Sequence, residues 1–287
     1  MNSAPQIRTL LVLGRVSNLP TIWSNCLAGW WLGGGGNVWK LPFLLLGVSL
    51  LYTGGMFLND AFDADFDQQR RPERPIPKGK ITVQLVWRFG FGQLVAGFFL
   101  LLFCGQMAAG AAFFLALFIL LYNFSHKFFN GAPWLMGMCR FWVYVIAGAT
   151  GVWGLNGWAI FGGAALAFYV VGLSYVARRE SFRGVVPLWP LLLLTSPIFL
   201  ALAMNTGNFR WRAIWISVVL ILWTGRSIRA IFSGGASNVS FIVSNLLAGI
   251  VFVDWIAIAP DGSRWLSLML LALFGATKWL QKFVPAT

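Results

Sequence analysis

Apolar residues fall in long unbroken runs along this chain, without the strand-like alternation or one-sided stripes of a soluble helical protein. The runs cover Asn18–Trp31, Leu41–Leu58, Gln84–Phe103, Ala108–Ser125, Leu135–Gly151, Trp158–Ala177, Val186–Ala203, Trp211–Gly225, Phe241–Ala259 and Trp265–Leu280. Most approach the roughly 20 residues a helix needs to cross a bilayer core. The pattern predicts an all-α, polytopic transmembrane helix bundle of nine or ten spans. The first run is short and is expected to extend into Gly33–Gly36. It lacks a small-residue cleavage site and many further runs follow, so it is read as a retained span and not a signal peptide. No long polar stretch divides the runs, and residues 1–287 are read as a single membrane domain.

Composition and charge sharpen this picture. The chain is 59% hydrophobic and 10% charged, against about a quarter charged in soluble domains. Its formal net charge of +13 is distributed unevenly between alternate loops. Arg8, Arg15, the cluster from Arg70 to Arg88, His126, Lys127, Arg178, Arg179, Arg183, Arg226 and Arg229 share one side; Lys40, Arg210, Arg212 and Arg264 share the other. The positive-inside rule makes the first side cytoplasmic, and ten spans return Lys278 and Lys282 to it. The expected setting is an integral protein of a bacterial plasma membrane. The basic charge is a topology signal, and without a soluble basic domain nucleic acid is not an expected partner. Cys26, Cys104 and Cys139 lie in or near apolar runs without metal-ligand spacing and read as packing residues.

Of the 8 acidic residues, Asp60, Asp63, Asp65 and Asp67 crowd together at the end of the second run. On a helix continuing past Leu58, Asp60, Asp63 and Asp67 share a face, with Asn59 one turn before Asp63. Three carboxylates and an amide are expected to converge there. Like charges so placed repel one another unless a counterion joins them, and a hard cation such as magnesium suits oxygen ligands of this kind. Such an ion completes its shell with water and substrate phosphate, so the metal is expected to arrive with a diphosphate. Asp65 points away, toward solvent or toward Arg70 or Lys80.

The following loop, Arg70 to Lys80, is stiffened by Pro72, Pro75 and Pro77, which keeps its cations near the acidic patch. Arg71 and Arg74 are candidates for phosphate contact; the alternative is that they serve only as topology charges. Tyr122, Asn123, His126 and Lys127 form a second cluster on adjacent helical faces, with Asn130 and Arg140 beyond it. Lys127 is the better diphosphate candidate. His126 is either a general base or, as preferred, a group satisfied by backbone or headgroup. A third cluster, Ser174, Tyr175, Arg178, Arg179, Glu180 and Arg183, lies on the same side. Glu180 either joins the metal shell or holds an arginine neighbour.

These clusters resemble the UbiA superfamily of intramembrane prenyltransferases. Asn59-Asp60-Ala-Phe-Asp63-Ala-Asp-Phe-Asp67 matches its NDxxDxxxD pattern, Arg74-Pro75-Ile76-Pro77-Lys78-Gly79 looks like its RPIPSG-type continuation, and Tyr122 to Lys127 resembles its tyrosine- and lysine-containing segment. The likeness covers nearly the whole chain. It implies that Asn59, Asp60, Asp63 and Asp67 bind a magnesium-associated prenyl diphosphate whose prenyl group passes to a lipophilic acceptor. Asn59, Arg71, Arg74, Tyr122, Asn123, Lys127, Tyr175, Arg178, Arg179 and Glu180 are then substrate-binding, and Glu180 is also a metal ligand. The family's second acidic motif normally carries two aspartates, where this chain has Tyr175-Val-Ala-Arg178-Arg179-Glu180. That departure is more similar to a divergent branch including proteins of bacterial and algal Ebo clusters. Arg178 and Arg179 would replace part of the second metal's charge. The rival expectation is a non-catalytic isoprenoid or lipid-diphosphate carrier, which an intact first motif beside a reduced second one also fits. The chain's protein partners are not legible.

Overall fold

The computed structural model describes residues 7–178, 189–232, 239–261 and 263–286, which contain helices and no strand. Short α1 (Ile7–Leu13) leads into α2 (Leu19–Leu32), and α3 (Leu41–Phe62) is followed by α4 (Ala64–Arg70). Next come α5 (Val83–Leu102), α6 (Gln106–Ser125), α7 (Ala132–Thr150) and α8 (Gly157–Ala177). The remaining helices are α9 (Trp189–Leu193), α10 (Ser196–Met204), α11 (Asn208–Phe232), α12 (Val239–Ala257) and α13 (Arg264–Leu280). Among the described residues, five helical segments are long and apolar enough to cross a membrane: Val38–Phe62, Val83–Leu102, Gln106–Ser125, Gly157–Ala177 and Val239–Ala257. Large apolar side chains such as Phe99, Phe113, Leu222 and Trp265 lie on the outside, as a bundle in lipid requires.

Two expectations about the runs are corrected. The first span does not extend into the glycine run: α2 stops at Leu32, and Gly34, Gly35 and Gly36 adopt φ of 93°, 59° and 64°. These positive φ values suit glycine and break the helix. The turn instead docks on the end of α7, where Trp153 N donates to Gly33 O and Val152 N to Gly35 O. The run Val186–Ala203 is not one continuous helix. Its first residues lie outside the described set, and the rest divides into α9 and α10 around Leu194 and Thr195, with Pro197 in the first turn of α10.

Helix α3, which carries the acidic motif, packs most extensively on α5. The contact is backbone against backbone. A Cβ on Gly54 would lie 2.8 Å from Gly90 O, and one on Gly97 2.7 Å from Gly47 O, so glycines permit the close approach. Beside a small cluster of Leu13, Phe57, Ala61, Ile81 and Val86, two larger apolar cores result. One gathers Ile22, Leu44, Leu115 and Ile146 around α2, α3, α6 and α7; the other gathers Leu166, Tyr169, Leu220 and Ile250 around α8, α11 and α12. The principal cavity takes wall residues from both.

Candidate active site at the cavity mouth

The cavity encloses about 940 Å³. Its walls follow helical periodicity: Val48, Tyr52, Gly55, Asn59 and Asp63 face it from the end of α3 upward, and Leu115, Ile119, Tyr122 and His126 from α6. Steps of three and four keep such residues on one face. Each stripe changes from apolar to polar toward the same end. Val143, Val170, Leu173 and Val243 add apolar wall, whereas Arg15, Arg71, Arg74, Lys127 and Arg178 add cations at the polar end. An ion-lined mouth therefore opens directly into an apolar interior.

The acidic motif bends only at Asp63. Asp63 N donates to Asn59 O at 3.0 Å and Asp67 N to Asp63 O at 2.8 Å, so α3 runs almost continuously into α4. The expected convergence of three carboxylates and an amide is corrected by the tertiary contacts, which divide the acids between two groups of cations. Arg74 Nη1 reaches Asp60 Oδ1 at 2.9 Å and Asp67 Oδ2 at 3.2 Å. Arg15 approaches Asp60 at 3.7 Å and donates to Asn59 Oδ1 at 3.3 Å. Asp63 instead meets Lys127 Nζ at 3.0 Å and His126 Nε2 at 3.1 Å. Asp65 is exposed and has no ion pair among the described residues.

Burial pushes the Asp63 carboxyl upward, but hydrogen bonds and charge from His126 and Lys127 together hold it below its ordinary value. Burial wins at Asp67, which is raised despite Arg74. Asp67 Oδ1 is also buried without a hydrogen-bond partner, an unsatisfied acceptor that a cation would satisfy. Among the described residues no group of three or more His, Cys, Asp or Glu forms a ready metal cage. Asn59, Asp60 and Asp63 line the cavity whereas Asp67 does not; oxygens of this kind are the ligands a divalent cation takes when it shares its shell with substrate oxygens.

Contacts from α6 complete the mouth. Asn59 Nδ2 donates to Asn123 Oδ1 at 3.2 Å, and Asn123 Nδ2 to Gly55 O at 3.1 Å, fixing both amides between helices. Lys127 Nζ also donates to Phe62 O at 2.7 Å. Tyr122 stacks on His126 with ring centres 5.3 Å apart. The preference for His126 as a backbone-satisfied group is half of the picture: Nδ1 lies 3.0 Å from Asn123 O, while Nε2 faces Asp63. The carboxylate partner invisible nearby in sequence comes from 63 residues earlier.

The third cluster is less directly placed. Arg178 lines the cavity, but its guanidinium donates to the carbonyls of His126, Phe129 and Asn130 at 2.8, 3.1 and 2.9 Å. These bonds cap the end of α6 and its following turn. Tyr175 is outside the cavity lining, and its hydroxyl reaches Asn130 O at 3.4 Å. Its expected place on the substrate is therefore corrected to a contact between helix ends. Arg179 and Glu180 lie outside the described residues. Arg15, read only as a topology charge, is a mouth residue; its sole sequence signal is a cation just before a polar Ser17-Asn18 pair.

Residues 17–281 match the sequence profile of the UbiA prenyltransferase family. The chain belongs to that family. It is 32% identical over 125 residues to digeranylgeranylglyceryl phosphate synthase of Sulfolobus acidocaldarius, covering 42% of this chain and 44% of that protein. It is 29% identical over 146 residues to 4-hydroxybenzoate octaprenyltransferase of Aeromonas salmonicida, covering 50% and 48%. The chain thus spans about half the length of the curated relatives it matches. Two solved UbiA-like folds are similar: one from work on digeranylgeranylglyceryl phosphate synthase in membranes, with TM-score 0.61, 20% identity and coverage of 89% of this chain and 99% of that chain. The other, an apo UbiA homologue from Aeropyrum pernix K1, has TM-score 0.52, 18% identity and coverage of 91% and 98%. Together with the five apolar helices, the family places this chain among integral membrane proteins.

Proposed function

We propose that this protein transfers a prenyl group from a prenyl diphosphate to a lipophilic acceptor, releasing diphosphate, with its mouth on the cytoplasmic side of the membrane. The carrying observation is the single cavity that joins paired carboxylates and cations to an apolar interior. A prenyl diphosphate has the same two-part chemistry. The match of residues 17–281 to a prenyltransferase family supports the reading, as do the names of the partial relatives.

Asn59, Asp60, Asp63 and Asp67 would hold Mg2+, whose bound charge stabilises the departing diphosphate. Arg15, Arg71, Arg74 and Lys127 supply cations to diphosphate oxygens. Arg74 and Lys127 already sit on carboxylates, so a bound anion substitutes one charge-assisted contact for another. Arg178 contributes positive charge while fixing the turn beyond α6; Arg179 and Glu180, outside the described residues, are assigned to the diphosphate side from the sequence. Tyr122 and Asn123 border the point where the tail enters the apolar cavity. Fixed cations favour the leaving group more as its charge grows, which promotes cleavage of the allylic carbon–oxygen bond. The allylic carbon then bonds to a nucleophilic atom of the acceptor, which loses its proton to the departing diphosphate, within an apolar interior that limits access of water.

The test supplies purified protein with radiolabelled prenyl diphosphates of several lengths, magnesium and a membrane lipid extract. Diphosphate release coupled to a labelled lipophilic product is the expected result, abolished by chelation and strongly reduced by Asp63→Asn. Tight binding without release across all donors and extracts would overturn transfer in favour of a carrier.

A further inference from the structure

A second polar group lies inside the bundle, on walls that are otherwise apolar. Tyr52 precedes Asp60 by eight residues on α3, roughly 12 Å along the helix axis. Facing it from α7 is Arg140, only 7% exposed yet lining the cavity. The guanidinium carbon stands 5.9 Å from the Tyr52 ring centre. Its Nη1 donates to Asn25 Oδ1 at 2.7 Å and Thr21 O at 3.4 Å, and its Nη2 to Thr21 Oγ1 at 3.3 Å.

The counter-charge is held one side chain away. Asn25 Nδ2 donates to Asp254 Oδ2 at 2.7 Å, and Asp254, fully buried on α12, also accepts from Ser24 and Tyr144. The Asn25 amide separates the two ions. Asp254 is satisfied by donors from α2 and α7, and it does not occupy the guanidinium fork. Of the five N–H groups of an arginine, three enter these bonds. Nε–H and the second Nη2–H have no partner among the described residues.

Asn18 lies beside this group at the start of α2 and also lines the cavity. Its Nδ2 donates to Tyr52 OH at 3.3 Å, leaving the phenol proton to donate elsewhere. Its Oδ1 is buried and has no hydrogen-bond partner. A cationic fork, a hydroxyl donor and an unsatisfied acceptor therefore meet on one cavity wall. Buried polar groups are normally hydrogen-bonded, so an unpaired acceptor beside unused donors on a cavity wall is a place where a polar ligand fits.

We propose that Arg140, Tyr52 and Asn18 form a binding subsite for an anionic oxygen group, carboxylate or phosphate, on the lipophilic acceptor. That the ligand is an acceptor rests on the transfer reading; that the subsite binds an anion does not. The subsite holds the acceptor from inside the bundle while the mouth holds the diphosphate, so the two charged heads do not compete for the same cations. Arg140 supplies charge and fork geometry. Tyr52 adds one donor to the anion, and Asn18 Oδ1, an acceptor, would serve an O–H or N–H elsewhere on the ligand.

The experiment saturates the mouth of the full chain with magnesium and inorganic diphosphate. Octyl phosphate, octanoate and octanol are then titrated at pH 8 and binding is read by intrinsic tryptophan fluorescence. At least one anionic probe is expected to bind about tenfold or more tighter than octanol, the range of a charge-assisted hydrogen bond; which one does so distinguishes phosphate from carboxylate. Arg140→Gln should reduce the preference to about twofold or less while leaving diphosphate affinity unchanged. Tyr52→Phe, which removes one oxygen without leaving a buried charge, should reduce it by about threefold and keeps the test decisive if the arginine variant does not fold. Equal binding of anions and octanol, or a preference unchanged in both variants, would overturn the subsite. Loss of diphosphate release in every donor assay would instead overturn the transfer reading while the anion preference stood.

Discussion

At the mouth, Arg74 and Lys127 touch their carboxylates directly at 2.9 and 3.0 Å; in the interior, the Asn25 amide stands between Arg140 and Asp254. Both regions combine acids and bases, but they arrange them for different tasks. At the mouth the carboxylates Asp60 and Asp67 are buried, but their cationic partners keep part of their side chains exposed, as does Lys127 beside Asp63. The interior group is bound into three helices, where removing either ion leaves the other buried without compensation. Direct pairs whose cations line the cavity and stay partly exposed suit a site that opens for a charged ligand. A counterion held one amide back keeps a buried cation charged and still leaves its fork open.

Breaking the interior side should give the largest effect. Asp254→Ala removes three accepted hydrogen bonds and the counter-charge of Arg140, and is expected to lower unfolding free energy by about 3 to 5 kcal/mol. Denaturant unfolding in detergent measures it, and a loss under about 1 kcal/mol would place the interior group with the mouth energetically. At the mouth, Asp63→Asn should instead reduce diphosphate release by about 100-fold with correct membrane insertion. Unchanged magnesium dependence of diphosphate binding in that variant would sink the assignment of Asp63.

A finer contrast comes from Arg74→Gln, which frees Asp60 and Asp67 and removes a phosphate-binding cation. Calorimetry with inorganic diphosphate should show about tenfold weaker affinity, with magnesium restoring part of the loss because the freed carboxylates become available to it. No recovery with magnesium would argue that those carboxylates exist only to hold Arg74. The smallest effect belongs to Tyr175→Phe, whose hydroxyl makes one long contact to Asn130 O at 3.4 Å. Product formation should change less than about twofold; a tenfold loss would return Tyr175 to the substrate.

The sequence carried the mouth's identity because its residues are local. Asn59, Asp60, Asp63 and Asp67 lie within nine positions, Arg74 follows on a proline-rich loop, and Tyr122 to Lys127 span little more than one helical turn. The pairing was less legible. No local rule assigns Lys127 and His126 to Asp63 while Arg74 takes Asp60 and Asp67. The interior group was harder still, since Asn18, Tyr52, Arg140 and Asp254 come from four different helices. Arg140 and Asp254 carried a readable signal, each as an isolated charge within an apolar run.

By itself the sequence determined the membrane setting, the helical class and the family, because hydrophobic runs and a compact motif are properties of neighbouring residues. The tertiary structure decided which cation meets which carboxylate, where Arg178 directs its donors and that a buried arginine faces the cavity. Those outcomes depend on the packing of helices whose contacting residues lie tens to hundreds of positions apart, and hydrogen bonds at that separation exist only once the bundle has closed.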